Sequence, residues 1–322
     1  MTTTIVRRGG RIYIRPRSRQ EWLEYRRGGI GSSEVATIVG LNPYETPYQL
    51  WRRKLGIDPP KEETFAMTAG HYLEDAVARF WEDATGCKVI KRSAGDWLIR
   101  QEDKRYLQVS PDRTYWLSED AKHNDNNKGI LECKTTQRKI DADDIPQHWF
   151  CQLQYQLGVA ELQHGSLAWL TAGREFGYKE IDFVPEFYEY LIAEVERFWV
   201  DNIEGGKEPA STAPDDILLR YTHTDPLKVI EADDDVYDVY RELKRLRETA
   251  ADLDAAQEAL EDKLKLQLGD AETLSYHGET IATWKATKPT ARFDTKAFRA
   301  AHPELAAQYT TTAAGTRRFT LK

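Results

Sequence analysis

Cysteine is scarce in this 322-residue chain: Cys87, Cys133 and Cys151 are the only three, and none shares a C-x-x-C spacing. An odd count without that spacing argues against a disulfide framework and a four-cysteine zinc or iron–sulfur site, and points to a reducing compartment. Long apolar runs are missing as well. None approaches the roughly 20 residues that a bilayer-spanning helix needs, and the opening MTTTIVRRGGRIYIRPRSRQ lacks the apolar segment of a secretory signal. The expectation is a cytoplasmic protein with no membrane partner. Overall positive charge is lacking too, at a formal −8, which taken evenly would speak against a polyanionic partner.

The charge is not even. Residues 1–56 hold eleven Lys/Arg against four Asp/Glu, whereas residues 231–270 hold thirteen acids against six bases. An acidic total can hide a basic N-terminal surface, and local potential is what attracts a polyanion. Apolar residues at 40% suffice for a substantial core, and charged residues at 30% fit a soluble protein rather than a disordered or membrane chain.

Pattern and punctuation divide the chain into segments. A strand over Arg11–Ile14 precedes helices over Arg19–Tyr25, from a Ser32 or Ser33 cap to about Val39, and over Pro47–Leu55. A longer helix over Thr68–Thr85 carries Leu73, Val77, Phe80 and Trp81 as its stripe, with Glu74 at the margin. A carboxylate turned toward a core needs a partner. Short β runs follow at Lys88–Lys91, Trp97–Arg100, Tyr106–Val109 and Thr114–Leu117, then the polar stretch SEDAKHNDNNKG and a strand at Ile130–Cys133. A helix at about Pro146–Glu161, strands near Ser166–Leu170 and Tyr178–Phe183, and a helix at Pro185–Glu204 complete a central mixed sheet flanked by helices. The expected domains are a core at 1–205, a linker at 206–230 and an extension at 231–322. In the extension, Val239, Leu243, Leu246, Ala250, Leu253, Gln257, Leu260 and Leu264 form a heptad seam, for assembly or for an intramolecular helical pair. A hairpin around His277-Gly278, a short helix at Thr295–Ala300 and a strand at Arg317–Leu321 follow.

The chemistry concentrates in Ser110-Pro111-Asp112 and Leu131-Glu132-Cys133-Lys134. Alternate residues of a strand share a face, so Glu132 and Lys134 point one way and Cys133 the other, into the core. Asp112 converges on them if the two strands are neighbours. Two carboxylates, with a backbone carbonyl, suit Mg²⁺, a hard cation that takes oxygen ligands, and Mn²⁺ is expected to substitute. A lysine beside the ion can hold a water and neutralise developing charge during phosphodiester hydrolysis. Gln152 and Gln156 share one face of the next helix, and His71 is the histidine expected nearest the site.

The segments RRGGIGSSEVATIVGLNPYETPYQLW (26–51), AGHYLE (69–74), VSPDR (109–113), LECKT (131–135) and CQLQYQLGV (151–159) resemble the YqaJ-type viral recombinases, a lambda-exonuclease-like branch of the PD-(D/E)xK nucleases. The resemblance implies a restriction-endonuclease-like core and a 5′→3′ exonuclease on double-stranded DNA ends that leaves 3′ single strands. It implies Asp112, Glu132 and the Cys133 carbonyl as metal ligands, Lys134 as the catalytic lysine, Glu74 through a second metal or its waters, and Gln152 as support. Arg26, with Ser33 beside it, would hold the 5′-phosphate. Arg113 stands where the family has glycine, so either the turn avoids a positive φ or Arg113 reaches the DNA. A ring-shaped homo-oligomer, commonly a trimer, a RecT-like single-strand annealing partner and a phage or prophage origin are implied too. An endonuclease on the same core and a non-catalytic DNA-end-binding scaffold are the alternatives.

Overall fold

The run Lys-Gly-Ile-Leu-Glu-Cys-Lys-Thr-Thr forms the central strand of a five-stranded sheet, and the rest of the core is arranged around it. In the computed structural model, which describes residues 3–59, 64–90, 97–118, 127–311 and 317–322, this strand is β7 (Lys128–Thr136). Its neighbours are β6 (Arg113–Trp116), antiparallel, and β8 (His164–Thr171), parallel; β3 (Lys88–Val89) and β9 (Glu175–Asp182) are the edges. A parallel pair needs a crossover, usually helical, and α5 (Gln147–Ala160) is that crossover. Both faces of the sheet are covered, so Ile130 to Cys133 are buried without interruption and apolar alternation alone does not mark which face is which.

On one face lies α4 (Phe65–Thr85), whose Val77, Ala78 and Trp81 pack on Tyr115, Leu131, Cys133, Ala168 and Leu170. Trp81 Nε1 donates to Ser166 Oγ at 2.8 Å, so the indole is buried with its polar atom satisfied. Leu73 and Phe80, assigned to this stripe from sequence, are 37% and 46% exposed; the stripe is narrower and runs through Ala78.

On the other face α5 packs with α2 (Ser32–Ile38), α3 (Pro47–Lys54) and α6 (Pro185–Arg197) around a larger cluster that includes Ile30, Leu50, Ile130, Leu153, Tyr155 and Leu191. Tyr25 of α1 (Arg19–Arg27) packs instead against Ile12, Ile14 and Leu98. Beside it a second, antiparallel sheet has the order β1 (Thr4–Arg8), β2 (Arg11–Arg15), β4 (Leu98–Gln101), β5 (Gln108–Val109). The mixed α/β core with a central sheet flanked by helices is thus as the sequence implies.

Several local details differ. The N-cap of α2 is Gly31, not a serine: Ser32 and Ser33 open the helix, and the Glu34 carboxylate accepts the Gly31 N–H at 2.8 Å. β1 was not expected, because its five residues are all exposed and show no buried face. The helix after Pro185 changes to a π-helical turn over Phe198–Glu204. Residues 317–321 form no strand. Lys91 and most of the polar stretch before β7 lie outside the described residues.

The chain separates into two compact units, Met1–Arg220 and Tyr221–Lys322. The first continues past the expected core into α7 (Pro214–Arg220), where the fully buried Asp216 accepts from Thr46 Oγ1 at 2.7 Å and from the backbone of Thr212 and Ala213. The second holds α8 (Asp234–Leu268), the hairpin β10 (Thr273–Tyr276) and β11 (Glu279–Thr283), and short helices α9 (Thr295–Ala301) and α10 (Pro303–Gln308). Along α8 the seam residues Val239, Leu246, Leu253 and Leu260 are exposed. No helix among the described residues is long and apolar enough to cross a membrane.

One glycine matters to the site. A Cβ on Gly29 would stand 2.6 Å from the Tyr106 carbonyl oxygen, backbone that cannot swing aside, because the Ile30 N–H donates to that same carbonyl at 2.7 Å. Gly29→Ala is expected to cost about 2–3 kcal/mol as an overpacked core position, read as a lowered urea midpoint at unchanged slope. An unchanged midpoint would show that the two segments do not approach this closely.

Candidate active site

Asp112 immediately precedes β6, whose ladder sets Arg113 opposite Leu131. Continued by one residue, that register sets Asp112 opposite Glu132, and the N–H of the next residue, Cys133, donates to Asp112 Oδ2 at 2.9 Å. The N–H and C=O of one strand residue leave the strand on the same side, so the Cys133 carbonyl faces the same edge as Asp112. The Cys133 side chain turns the other way, into the cluster under α4, as alternation requires.

Glu132 is 2% exposed, and three donors hold its carboxylate. Lys134 Nζ lies 2.7 Å from Oε1, the Gln152 amide donates to the same oxygen, and Gln156 Nε2 donates to Oε2 at 2.8 Å. Lys134 Nζ is in turn held by Gln152 Oε1 at 2.9 Å. Gln152 and Gln156 are one helical turn apart on α5, and the parallel β7–α5–β8 crossover lays that face over Glu132. A buried carboxylate needs such partners, since a lone buried charge costs several kcal/mol.

The electrostatics leave the centre short of positive charge. Burial, then Glu132, then Glu74 push the Asp112 carboxyl well above its usual range, and Lys134 and the Cys133 N–H only partly oppose them. Burial works against the Lys134 charge, yet Glu132 and Asp112 outweigh it and hold the ammonium above its ordinary value. Burial and the same lysine hold His148, on α5, below its usual range.

Glu74 enters from α4 with the partners that its position demanded: His71 Nδ1 at 3.1 Å and Arg113 Nη1 at 3.5 Å. Among the described residues, no three His, Cys, Asp or Glu side chains converge closely enough to hold one metal ion, although Glu74 is near enough to act on the Asp112 carboxyl. Arg113 has no left-handed backbone. Its guanidinium binds Asp75 at 2.8 Å as well as Glu74, which ties β6 to α4. The turn before β6 therefore has no need of a glycine.

A second centre adjoins the first. Arg26, in the last turn of α1, donates to Ser33 Oγ at 2.9 Å, and its guanidinium sits 4.8 Å from the Trp22 ring centre. A Cβ on Gly31 would stand 2.5 Å from Arg26 Nη2, so the glycine leaves the room that the guanidinium occupies. Beneath it Glu34 is buried against Lys54 at 2.7 Å and Arg53 at 2.9 Å, with Arg26 at 4.0 Å. Burial alone would raise the Glu34 carboxyl; Lys54, Arg26 and Arg53 together bring it down to about 2. Arg53 is shared with Glu45 at 2.9 Å. Lys54 is also held by the Arg26 and Gly29 carbonyls. Of the three cations around Glu34, Arg26 is the farthest from its carboxylate, at 4.0 Å.

The two centres meet through neighbouring residues. Ser32 Oγ accepts from Gln156 Nε2 at 3.2 Å, and Gln156 holds Glu132, while Ser33 holds Arg26. Sequence reasoning found Arg26, Ser33 and both glutamines. It missed Glu34, whose place three residues after Gly31 was the available signal, and it missed Arg53 and Lys54, which arrive from α3.

A model described as the YqaJ-like viral recombinase domain matches residues 21–163, the span that holds both centres. The chain is thereby of the viral-recombinase class. A curated relative, the "Uncharacterized protein YqaJ" of Bacillus subtilis (strain 168), is 32% identical over 300 residues, covering 89% of each chain. This protein belongs to the YqaJ-like viral recombinase family. Among solved structures it is similar to the alkaline exonuclease LHK-Exo of Laribacter hongkongensis, at 18% identity and a TM-score of 0.43 over 56% of this chain and 91% of that one. A phage-related exonuclease from Haemophilus somnus 129PT is similar at 10% identity and a TM-score of 0.38, over 56% and 96%.

Proposed function

We propose that this protein is a magnesium-dependent 5′→3′ exonuclease of double-stranded DNA that leaves 3′ single strands for phage-type recombination. The observation that carries the proposal is the meeting of Asp112, Glu132 and Lys134 beside an arginine–serine pair, Arg26 from α1 and Ser33 from α2. The donor set suits a divalent cation: two carboxylates and the Cys133 carbonyl edge are hard oxygen groups, and such an ion would oppose the upward push that burial first, then Glu132 and Glu74, exert on Asp112. Asp112, Glu132 and the Cys133 carbonyl would hold Mg²⁺, with Mn²⁺ as a substitute, and Glu74 would reach it through water or a second ion. When bound, the ion would supply a polarised phosphate and a more acidic water.

The side chains do the rest. Lys134 Nζ, fixed by Glu132 and Gln152, offers a proton donor and a positive charge to the attacking water and the phosphate. Attack at phosphorus breaks the P–O3′ bond, releases a 5′-mononucleotide and leaves a new 5′-phosphate on the next nucleotide. Arg26 and Ser33 would receive that phosphate, because a guanidinium fork and a helix N-terminus both favour it. The proposed partners are DNA ends, further copies of this chain in a ring such as a trimer, and a RecT-like annealing protein, in the cytoplasm of a bacterial host.

Digestion of linear 5′-phosphorylated duplex beside the same DNA as a closed circle, with Mg²⁺ or EDTA, tests the reading. Metal-dependent loss of the linear form only is expected. Cutting of the circle would mean an endonuclease, and loss of neither a non-catalytic end-binding scaffold. Arg26→Ala is expected to erase any preference for 5′-phosphate over 5′-hydroxyl ends, a drop of about tenfold or more for one charge-assisted contact. An undiminished preference would move the phosphate site elsewhere.

A further inference from the structure

The second unit, Tyr221–Lys322, has no part in the chemistry proposed above, and its charge is unevenly divided. Residues 231–270 are strongly acidic, whereas residues 284–322 hold eight Lys/Arg against two Asp/Glu. Three cations of α8 are neutralised within the helix: Arg241 by Asp238 at 2.6 Å, Arg245 by Glu242 at 2.7 Å, and Lys265 by Asp262 at 3.1 Å. None of the eight cations beyond Trp284 is ion-paired among the described residues. The acids of α8 belong to the same unit and do not take them up. The chain end meets that helix through other groups: Tyr240 Oη donates to the Lys322 carbonyl at 3.1 Å, and Arg247 lies 6.0 Å from the Phe319 ring centre. Nor does Asp294 answer them, since its carboxylate accepts the Lys296 and Ala297 N–H groups that open α9.

The same stretch exposes aromatic rings. Trp284 is 52% and Phe293 70% exposed, where side chains of this kind usually supply buried area. Both are held in place. The Trp284 N–H donates to the Glu272 carbonyl at 2.9 Å, one step beyond the β10–β11 ladder. Phe293 immediately precedes the Asp294 cap, and its ring packs 4.9 Å from Phe298, which stands 5.3 Å from His302. The eight residues between the two exposed rings, KATKPTAR, bring Lys285, Lys288 and Arg292, no acid, and no Leu, Ile, Val or Met. On α9 Lys296 and Arg299 follow, three residues apart and so on one face.

We propose that residues 284–299 bind single-stranded DNA, with Trp284 and Phe293 as stacking surfaces for its bases and the cations from Lys285 to Arg299 along its phosphates. Positive charge interleaved with aromatic rings suits a single strand, because every unstacked base offers a π-face whatever its identity. A duplex would meet only the charges, since its bases already stack on one another. An anionic membrane calls for one continuous apolar face, and the polar residues between the two rings interrupt it. Binding needs nothing from the active site; that the strand is one laid bare by resection rests on the nuclease reading. In that role the second unit keeps hold of the 3′ strand while the first shortens the other.

Full-length protein in EDTA is titrated with a fluorescein-labelled oligothymidine and with blunt duplex, as wild type, Trp284→Ala, Phe293→Ala and Arg292→Gln. Each ring variant is expected to bind the oligothymidine about fivefold or more weakly and the duplex as wild type does. Arg292→Gln is expected to flatten the log–log salt dependence of oligothymidine binding by about 0.7, the share of one phosphate. It removes no packed ring, so it decides the matter should either ring variant lose stability. A strand carrying 5-iododeoxyuridine should crosslink to peptides containing Trp284 or Phe293. Oligothymidine affinity equal in all four proteins, none in the wild type, crosslinks confined to the first unit, or ring-variant losses as large for duplex would each overturn the strand-binding surface. So would variants that lose phosphatidylserine vesicles instead of the oligothymidine, or that change oligomeric state. Strand binding of the expected pattern without any cleavage in Mg²⁺ would remove the nuclease reading and leave the surface standing.

Discussion

Lys134→Ala is expected to reduce the cleavage rate by about a thousandfold, the scale seen when one preorganised charge at a developing anion is removed. The loss should fall on the chemical step, because Lys134 touches Glu132 and Gln152 and none of the cluster around Arg26. Affinity for 5′-phosphorylated duplex in EDTA should therefore stay within about twofold of wild type. Folding should survive, since Glu132 keeps its bonds from Gln152 and Gln156. Single-turnover cleavage, duplex affinity and thermal midpoint are the three measurements. Cleavage near the wild-type rate would falsify the role given to Lys134, and a collapse of all three together would make it structural.

The second large effect lies at Glu34 and concerns stability. Glu34→Gln leaves Lys54 buried without its counter-charge and deprives Arg53 of a partner. Breaking a buried pair by removing one member costs about 3–5 kcal/mol, or about 10 °C of thermal midpoint for a unit of this size. The pH dependence has a definite sign. Glu34 titrates at about 2 in the folded protein against an ordinary 4.5, so its contribution is complete above pH 4.5 and is lost as the pH falls toward 2. A shift of that size corresponds to about 3 kcal/mol. Burial also lowers the Lys54 pKa, although Glu34 opposes it, and that desolvation offsets part of the gain. Acid titration of stability should therefore be steeper for wild type than for Glu34→Gln. Parallel curves would show that the carboxylate is not the counter-ion.

What was legible in the sequence and what was not divide along the range of the interactions. The placement of Glu132 and Lys134 on one face follows from period-two geometry within a single strand, and the Gln152–Gln156 pair from one helical turn. Those are local relations. The Glu34 cluster is not: its cations come from a helix that starts thirteen residues later and from Arg26 on the helix before, and no spacing rule joins them. Local rules also misled where two of them competed. Ser32 and Ser33 are good caps by composition, but Gly31 takes the position because the Glu34 side chain returns to its N–H and because a Cβ there would meet Arg26. Leu73 and Phe80 have helical spacing with Val77 and Trp81, yet the small Ala78 is what lets α4 approach the sheet. β1 and the stretch at 317–321 show the converse: strand formation depends on a partner more than on the segment's own pattern. Arg113 was left open between two explanations; its backbone lies outside the left-handed region, which answers the turn question, and its ion pairs to Asp75 and Glu74 come from a helix that no local rule connects to it.

The interleaving along β7 has a consequence for how the gene can change. Glu132 and Lys134 serve the centre while Leu131 and Cys133 serve the cluster under α4, all within four consecutive residues. Gaining or losing a single codon between Lys128 and Leu131 would exchange the two sets, turning a thiol and a leucine toward Asp112 and two charges into the core. Substitutions in this strand can be tried one at a time, but its reading frame of faces admits only paired, even-numbered changes of length.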